Sequence, residues 1–124
     1  MMAILDTNIV IDILKGRKDV LRSLNALNIR DKYGITVITD YELRCVIDHR
    51  DLINRFLSSI EIYFFNDESS SIASDIYIAL REKGRIISDT DILIAGIAIS
   101  HNQNLITRDG DFKNIDNSLI QIIN

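Results

Sequence analysis

Hydrophobic positions along the 124-residue chain alternate between short apolar runs and longer segments with helical spacing. Runs such as residues 3–5 and 105–107 predict buried strands. Segments such as residues 70–83 repeat their apolar side chains every three or four positions, which predicts amphipathic helices. Strands that are apolar almost throughout are typical of parallel sheets covered by helices on both faces.

Applied to the whole chain, this pattern predicts five strands and six helices. The predicted strands cover residues 3–5, 35–38, 60–65, 105–107 and 119–123. The predicted helices cover residues 9–14, 20–27, 51–59, 70–83 and 91–100, and a sixth begins in a capping box at residues 39–42. The expected fold is an α/β/α sandwich with a central twisted parallel sheet, built as a single domain over residues 1–124.

Composition removes several classes of protein. With 47% hydrophobic and 26% charged residues, the chain is not a disordered protein. Its longest apolar runs fall short of the roughly 20 residues of a membrane span, and the acid at Asp6 argues against a signal peptide. A single cysteine, Cys45, which we expect in the core, excludes an internal disulfide, and two histidines exclude a Cys/His zinc cluster. We therefore expect a cytoplasmic domain.

Acidic residues follow the predicted strands. Asp6 comes directly after the first strand, Glu42 lies just beyond the second, and Asp109 follows residues 105–107. Asp91 stands at the start of an apolar helix that would face the same edge. Because ligands of such folds bind beyond the carboxyl ends of the strands, we expect these four acids to converge.

Four carboxylates in one pocket do not all stay ionised unless something neutralises them. A set of oxygen ligands without cysteine or histidine favours Mg²⁺ or Mn²⁺, and one or two such ions can support phosphodiester cleavage. Asp89 and Asp111 lie close enough in sequence to be additional or alternative members. Each acid taken singly also has a structural explanation as a cap or turn residue, but jointly that explanation requires four coincidences at one edge.

Four short segments carry a family resemblance. They read LDTN from Leu5, TDYEL from Thr39, DILIA from Asp91 and LITRDGDF from Leu105. In this order they resemble the motifs of the PIN-domain family and, within it, the VapC-type toxins of toxin–antitoxin pairs. The resemblance implies a metal-dependent ribonuclease on a doubly wound parallel sheet, often dimeric and held inactive by a cognate antitoxin.

Residue roles can be carried over from this resemblance by position. The acidic quartet of the family is matched by Asp6, Glu42, Asp91 and Asp109. The first and last of these are expected to hold the principal metal ion, and the other two to complete the site. Thr107 matches a hydroxyl residue that supports the site, and Asn8 matches a polar residue beside the first acid. The roles of Asp89, Asp111 and Asp40 stay open.

The sequence therefore predicts a Mg²⁺- or Mn²⁺-dependent endoribonuclease, the toxin of a type II toxin–antitoxin system. A net charge of −4 gives no overall attraction to RNA, so positive charge must act locally. Candidate contacts, each equally well explained as a solvated helix end, are Lys15, Arg17, Lys18, Arg44 and Arg108. Two alternatives are a non-catalytic PIN-like binding module and an acid-pocket phosphotransfer domain, for which Lys113 is the only late lysine at this edge.

Overall fold

The computed structural model describes residues 2–27 and 33–123. Five parallel strands form one sheet in the order β3-β2-β1-β4-β5. They are β1 (Ala3–Leu5), β2 (Tyr33–Thr36), β3 (Glu61–Tyr63), β4 (Asn104–Thr107) and β5 (Ile120–Ile122). Strands β2 and β3 lie on one side of β1, and β4 and β5 lie on the other side. The strand order therefore reverses between β1 and β4.

Helices cover both faces of the sheet. They are α1 (Thr7–Leu14), α2 (Lys18–Ala26), α3 (Val37–Arg44), α4 (Arg50–Ser59), α5 (Asp67–Glu82) and α6 (Asp89–Ser100), with a 3₁₀ helix at Gly110–Asn114. Alternate residues of β1 point to opposite faces, so Ala3 and Leu5 pack with residues of α1 to α4. Ile4 packs with residues of α5, α6 and the 3₁₀ helix. The predicted α/β/α sandwich is confirmed.

One boundary differs from the prediction in a way that matters for the site. The strand expected at residues 35–38 ends at Thr36, and α3 begins at Val37. The hydroxyl of Thr36 accepts a hydrogen bond from the backbone N–H of Thr39 at 3.2 Å, so Thr36 is the N-cap. The capping box expected between Thr39 and Glu42 is therefore wrong. The helix already begins at Val37, because the cap at Thr36 outweighs the strand preference of the β-branched residues Val37 and Ile38. Glu42 lies in the second turn of α3 instead.

The other boundaries agree closely with the predicted elements. The strand expected at residues 60–65 is shorter, and α5 begins three residues earlier than expected, at a capping box formed by Asn66 and Ser69. No helix within residues 2–27 and 33–123 is long and apolar enough to cross a membrane.

Candidate active site

The four predicted acids meet at the carboxyl edge of β1 and β4. Asp6 caps α1 directly after β1, and Asp109 caps the 3₁₀ helix two residues after β4. Asp91 lies in the first turn of α6, and Glu42 in the second turn of α3. Their charges interact, since Asp91 and Glu42 both act on Asp6 while Asp109 and Glu42 act on Asp91. The predicted convergence is thus present in the structure.

Asp6 is the buried centre of this pocket, with 3% of its surface exposed. Its Oδ1 accepts a hydrogen bond from the backbone N–H of Thr7 at 2.9 Å, and its Oδ2 accepts one from the hydroxyl of Thr107 at 2.8 Å. Burial raises the pKa of Asp6 to about 6, and the charges of Asp91 and Glu42 act in the same direction, while the two hydrogen bonds oppose the rise. An ionised Asp6 is therefore costly here without a counter-charge.

Asp91 experiences the same crowding from the α6 side of the pocket. Its pKa is raised, first by burial and then by the charges of Asp109, Glu42 and Asp111, while a hydrogen bond from Ser88 lowers it. Ser88 is the N-cap of α6, and its hydroxyl also accepts a hydrogen bond from the backbone N–H of Asp91 at 3.3 Å. The helix cap thus fixes where this carboxylate enters the pocket.

Glu42 is oriented by two threonines from separate elements. The hydroxyl of Thr7 donates to Oε1 of Glu42 at 2.6 Å and lies 2.8 Å from the hydroxyl of Thr39. A hydroxyl has one proton, so Thr39 must donate to Thr7 while Thr7 donates to Glu42. This chain of hydrogen bonds joins the start of α1 to α3.

Thr107 joins the two acids that flank the point where the strand order reverses. Its hydroxyl donates to Asp6 and accepts a hydrogen bond from the backbone N–H of Asp109 at 3.0 Å. Oδ1 of Asp109 in turn accepts a hydrogen bond from the backbone N–H of Asp111 at 2.9 Å. The buried side chain of Thr107 therefore positions both the carboxylate of Asp6 and the turn that carries Asp109.

Helix N-termini add to the electrostatics of the pocket. α1 and α6 begin next to Asp6 and Asp91, and the positive ends of these two helix dipoles favour negative charge there. They would equally favour a phosphate group of a substrate. The pocket is therefore suited both to retaining carboxylates and to receiving an anion beside a cation.

The donor chemistry of the pocket fits a hard divalent cation. Its side chains offer carboxylate and hydroxyl oxygens, the ligands that Mg²⁺ and Mn²⁺ prefer. Burial, and after it the charges of neighbouring acids, raise the pKa of Asp6 and of Asp91, and a bound cation would offset both costs. Within residues 2–27 and 33–123, no three acidic, histidine or cysteine side chains are arranged as a ready-made ligand cluster. The carboxylates share a pocket, and binding an ion requires them to adjust within it.

The remaining predicted residues lie outside the centre of the pocket. Asp111 is exposed at its rim, and Asp89 and Asn8 are exposed on α6 and α1. Asp40 forms an ion pair with Arg44, 3.1 Å between Oδ1 and Nε, which gives Asp40 a local partner on α3. Cys45, expected in the core, is exposed at the end of α3.

Sequence reasoning missed the roles of Thr7 and Thr39 in orienting Glu42. Thr7 belongs to the LDTN motif and Thr39 to the TDYEL motif, so both were within the segments singled out. Their partnership joins positions 32 residues apart, and no local pattern signals it.

Two of the predicted basic residues share a partner on α1. Nη1 of Arg108 lies 2.8 Å from Oδ2 of Asp12, and Nη1 of Arg17 lies 3.7 Å from Oδ1 of the same carboxylate. Arg17 also binds both oxygens of Asp19.

Comparison with known proteins agrees with this fold. The model of the PIN domain family matches residues 3–118. Ribonuclease VapC3 of Methanocaldococcus jannaschii is 37% identical over 98 residues, which cover 78% of this chain and 98% of the relative. The chain therefore belongs to the PIN-domain family, as its motifs indicated.

Solved structures extend the similarity to the whole chain. The structure of VapBC2 from Rickettsia felis bound to a DNA fragment from its promoter matches with a TM-score of 0.82 and 26% identity over 100% of both chains. VapBC-1 from nontypeable Haemophilus influenzae matches with a TM-score of 0.81 and 26% identity over 98% of each chain. The chain thus has the α/β/α fold of VapC structures.

Proposed function

We propose that the chain is an endoribonuclease toxin of the VapC type, with residues 1–124 as a single nuclease domain. The observation that carries this proposal is the convergence of Asp6, Glu42, Asp91 and Asp109 at the carboxyl edge of β1 and β4. Similarity to proteins named as VapC ribonucleases supports RNA as the substrate. The reaction would be hydrolysis of RNA phosphodiester bonds.

Each acid has a distinct position from which to hold Mg²⁺ or Mn²⁺. Asp6 and Asp109 flank the Thr107 hydroxyl and would hold the principal ion, with Glu42 and Asp91 completing the site. The hydroxyl of Thr7 binds Oε1 of Glu42. This contact would orient the carboxylate and leave Oε2 for an ion or for water. A bound divalent cation would offset part of the negative charge of the pocket and would supply water activation and stabilisation of the leaving oxygen.

The proposed partners follow from the same relatives. Structures described as VapBC complexes and as a toxin–antitoxin complex support a cognate antitoxin that holds this chain inactive. A homodimer is proposed from the family resemblance. Expression of the wild-type chain should arrest growth of a bacterial host, and an inactive variant should not.

The test compares two acids in the first turn of α6. Asp91→Asn alters an acid of the pocket, whereas Asp89→Asn alters an exposed acid two residues earlier near the same helix dipole. With Mn²⁺ and a set of labelled RNAs, Asp91→Asn should lower the cleavage rate at least about 100-fold. Loss of a residue that only orients a metal ligand costs about 10- to 100-fold, and loss of a ligand itself should cost at least as much.

Asp89→Asn should cleave at a rate close to that of the wild type, and EDTA should abolish cleavage by both active proteins. Circular dichroism verifies that each variant is folded. Equal activity of wild type and folded Asp91→Asn would contradict the proposed site, because the activity would then not depend on the acidic pocket.

A further inference from the structure

An acidic pocket on a protein of net charge −4 repels RNA unless positive charge lies beside it. The side chains of β4 alternate between the two faces of the sheet, with Leu105 on the α5–α6 face and Ile106 on the α1 face. Arg108 continues this alternation onto the α1 face, where it meets Asp12. In the backbone it stands between Thr107, which binds Asp6, and Asp109, so it leaves the chain at the edge of the acidic pocket while its guanidinium lies at Asp12.

The contact with Asp12 fixes Arg108 without occupying all of its donors. The side chain of Arg108 is 26% exposed and that of Asp12 is 16% exposed. One guanidinium nitrogen binds Asp12, and the residues that the structure describes provide no second ion pair for this arginine. A guanidinium has five N–H donors, so several remain for an anion that approaches from solvent.

The turn between α1 and α2 brings further positive charge to the same place. Arg17 contacts Asp12 and Asp19, and Arg108 is near enough to Asp19 to contribute to lowering its pKa, after the larger effects of the hydrogen bond and charge of Arg17. Lys15 directly follows α1 and Lys18 begins α2, and both are exposed. Arg108 and this segment together carry four cationic side chains and two acidic ones, a surplus of two positive charges.

We propose that Arg108, held in place by Asp12, binds a backbone phosphate of single-stranded RNA next to the one that is cleaved. The planar guanidinium suits two oxygens of one phosphate, and the surplus charge of the α1–α2 turn supports the same contact. This subsite rests on the proposed ribonuclease function. It makes no use of the acidic quartet, and it can be tested without a metal ion.

The experiment measures binding of a fluorescein-labelled random-sequence RNA to the full chain by anisotropy in EDTA, over a series of salt concentrations. Arg108→Gln should raise the Kd about tenfold and reduce the magnitude of the salt slope by about 0.7, the value for one lost phosphate contact to a single strand. Arg108→Lys should restore the slope and recover the affinity in part, because it keeps the positive charge but loses the planar guanidinium that can bind two phosphate oxygens.

Asp12→Asn separates a phosphate contact from a purely structural ion pair. It removes the negative charge at position 12 but keeps a side-chain oxygen that can accept the hydrogen bond from Arg108, so this variant should bind RNA at least as tightly as the wild type. Arg81→Gln serves as the matched control, since Arg81 is exposed on α5, on the other face of the sheet, where it lies over the ring of Tyr77.

Two results would overturn the subsite. One is an Arg108→Gln protein that binds RNA like Arg81→Gln, and the other is an equal loss of affinity in Arg108→Gln and Asp12→Asn with an unchanged salt slope. Cleavage of the same RNA by the wild type with Mn²⁺ is measured in parallel. If the predicted binding pattern appears without cleavage, the ribonuclease function fails, while the phosphate contact of Arg108 stands without a cleaved phosphate beside it.

Discussion

Threonine hydroxyls orient the acids of the pocket. Thr107 donates to Asp6, and Thr7 donates to Glu42. Like charges repel, so a carboxylate that no hydrogen bond holds turns away from its acidic neighbours. These hydrogen bonds matter because a metal site depends on ligands that are already oriented. The threonines are thus expected to contribute to metal affinity although they carry no charge.

Thr7→Val tests this expectation at the level of one hydroxyl. The change keeps the β-branched shape and removes the donor to Glu42, so affinity for Mn²⁺ should fall about 10- to 100-fold. Thr7→Ser keeps the donor and should bind Mn²⁺ nearly as the wild type does. Isothermal titration calorimetry at neutral pH gives both affinities, and a Thr7→Val protein that binds Mn²⁺ normally would show that Glu42 needs no such support.

The acids of the site lie at the beginnings of α1, α6 and the 3₁₀ helix and in the second turn of α3. Each of these helices starts at a polar cap, provided by Asp6, Ser88, Asp109 and Thr36 in that order. For Asp6 and Asp109 the sequence allowed a role as a cap or turn residue. The cap of α3 was expected three residues too late, because Val37 and Ile38 have the side chains of a strand and only the hydroxyl of Thr36 marks the start of the helix.

Helices α5 and α6 pack closely at Gly96 of α6, the helix whose first turn carries Asp91. A Cβ added at Gly96 would lie 2.8 Å from the carbonyl oxygen of Ser69 and 2.9 Å from Cβ of Ala73, so the two helices approach closely only because residue 96 is glycine. A glycine within this apolar helix is typical of close approach by another helix, but spacing along the sequence does not identify α5, since the contact joins segments more than 20 residues apart.

Gly96→Ala should therefore destabilise the fold even though alanine favours helix. Overpacking of the α5–α6 contact should outweigh the gain in helix propensity and lower the free energy of unfolding by about 1–2 kcal/mol. Gly110→Ala is the control, because an added Cβ there meets no atom within 4 Å. Urea denaturation measures both, and equal stability of the two variants would contradict the close packing.

At the scale of the whole molecule, the position of the site was predictable and its internal contacts were not. Apolar runs predicted the parallel sheet, and the rule that ligands bind beyond the carboxyl ends of strands predicted where Asp6 and Asp109 meet. The pairing of Arg108 with Asp12 spans 96 residues, and that of Thr7 with Glu42 spans 35. Such contacts depend on how helices lie on the sheet, which spacing along one sequence does not specify.

The pocket also links the stability of the whole fold to pH. Folding raises the pKa of Asp6 from 3.8 to about 6, so between these values the folded protein binds more protons than the unfolded chain. The contribution of Asp6 to stability is therefore greatest below about pH 4 and is lost as the pH rises through about 6. Two pKa units correspond to a loss of about 3 kcal/mol at neutral pH.

Denaturation of the metal-free protein by urea, from pH 4 to pH 7.5, measures this loss. Asp6→Asn removes the buried charge, so in EDTA this variant should lose less stability than the wild type as the pH rises and should be the more stable of the two at pH 7. Adding Mn²⁺ should reverse the order, because the ion stabilises the folded wild type in proportion to its occupancy. If the wild type and Asp6→Asn instead respond identically to pH in EDTA, the buried carboxylate of Asp6 does not carry the cost inferred from its surroundings.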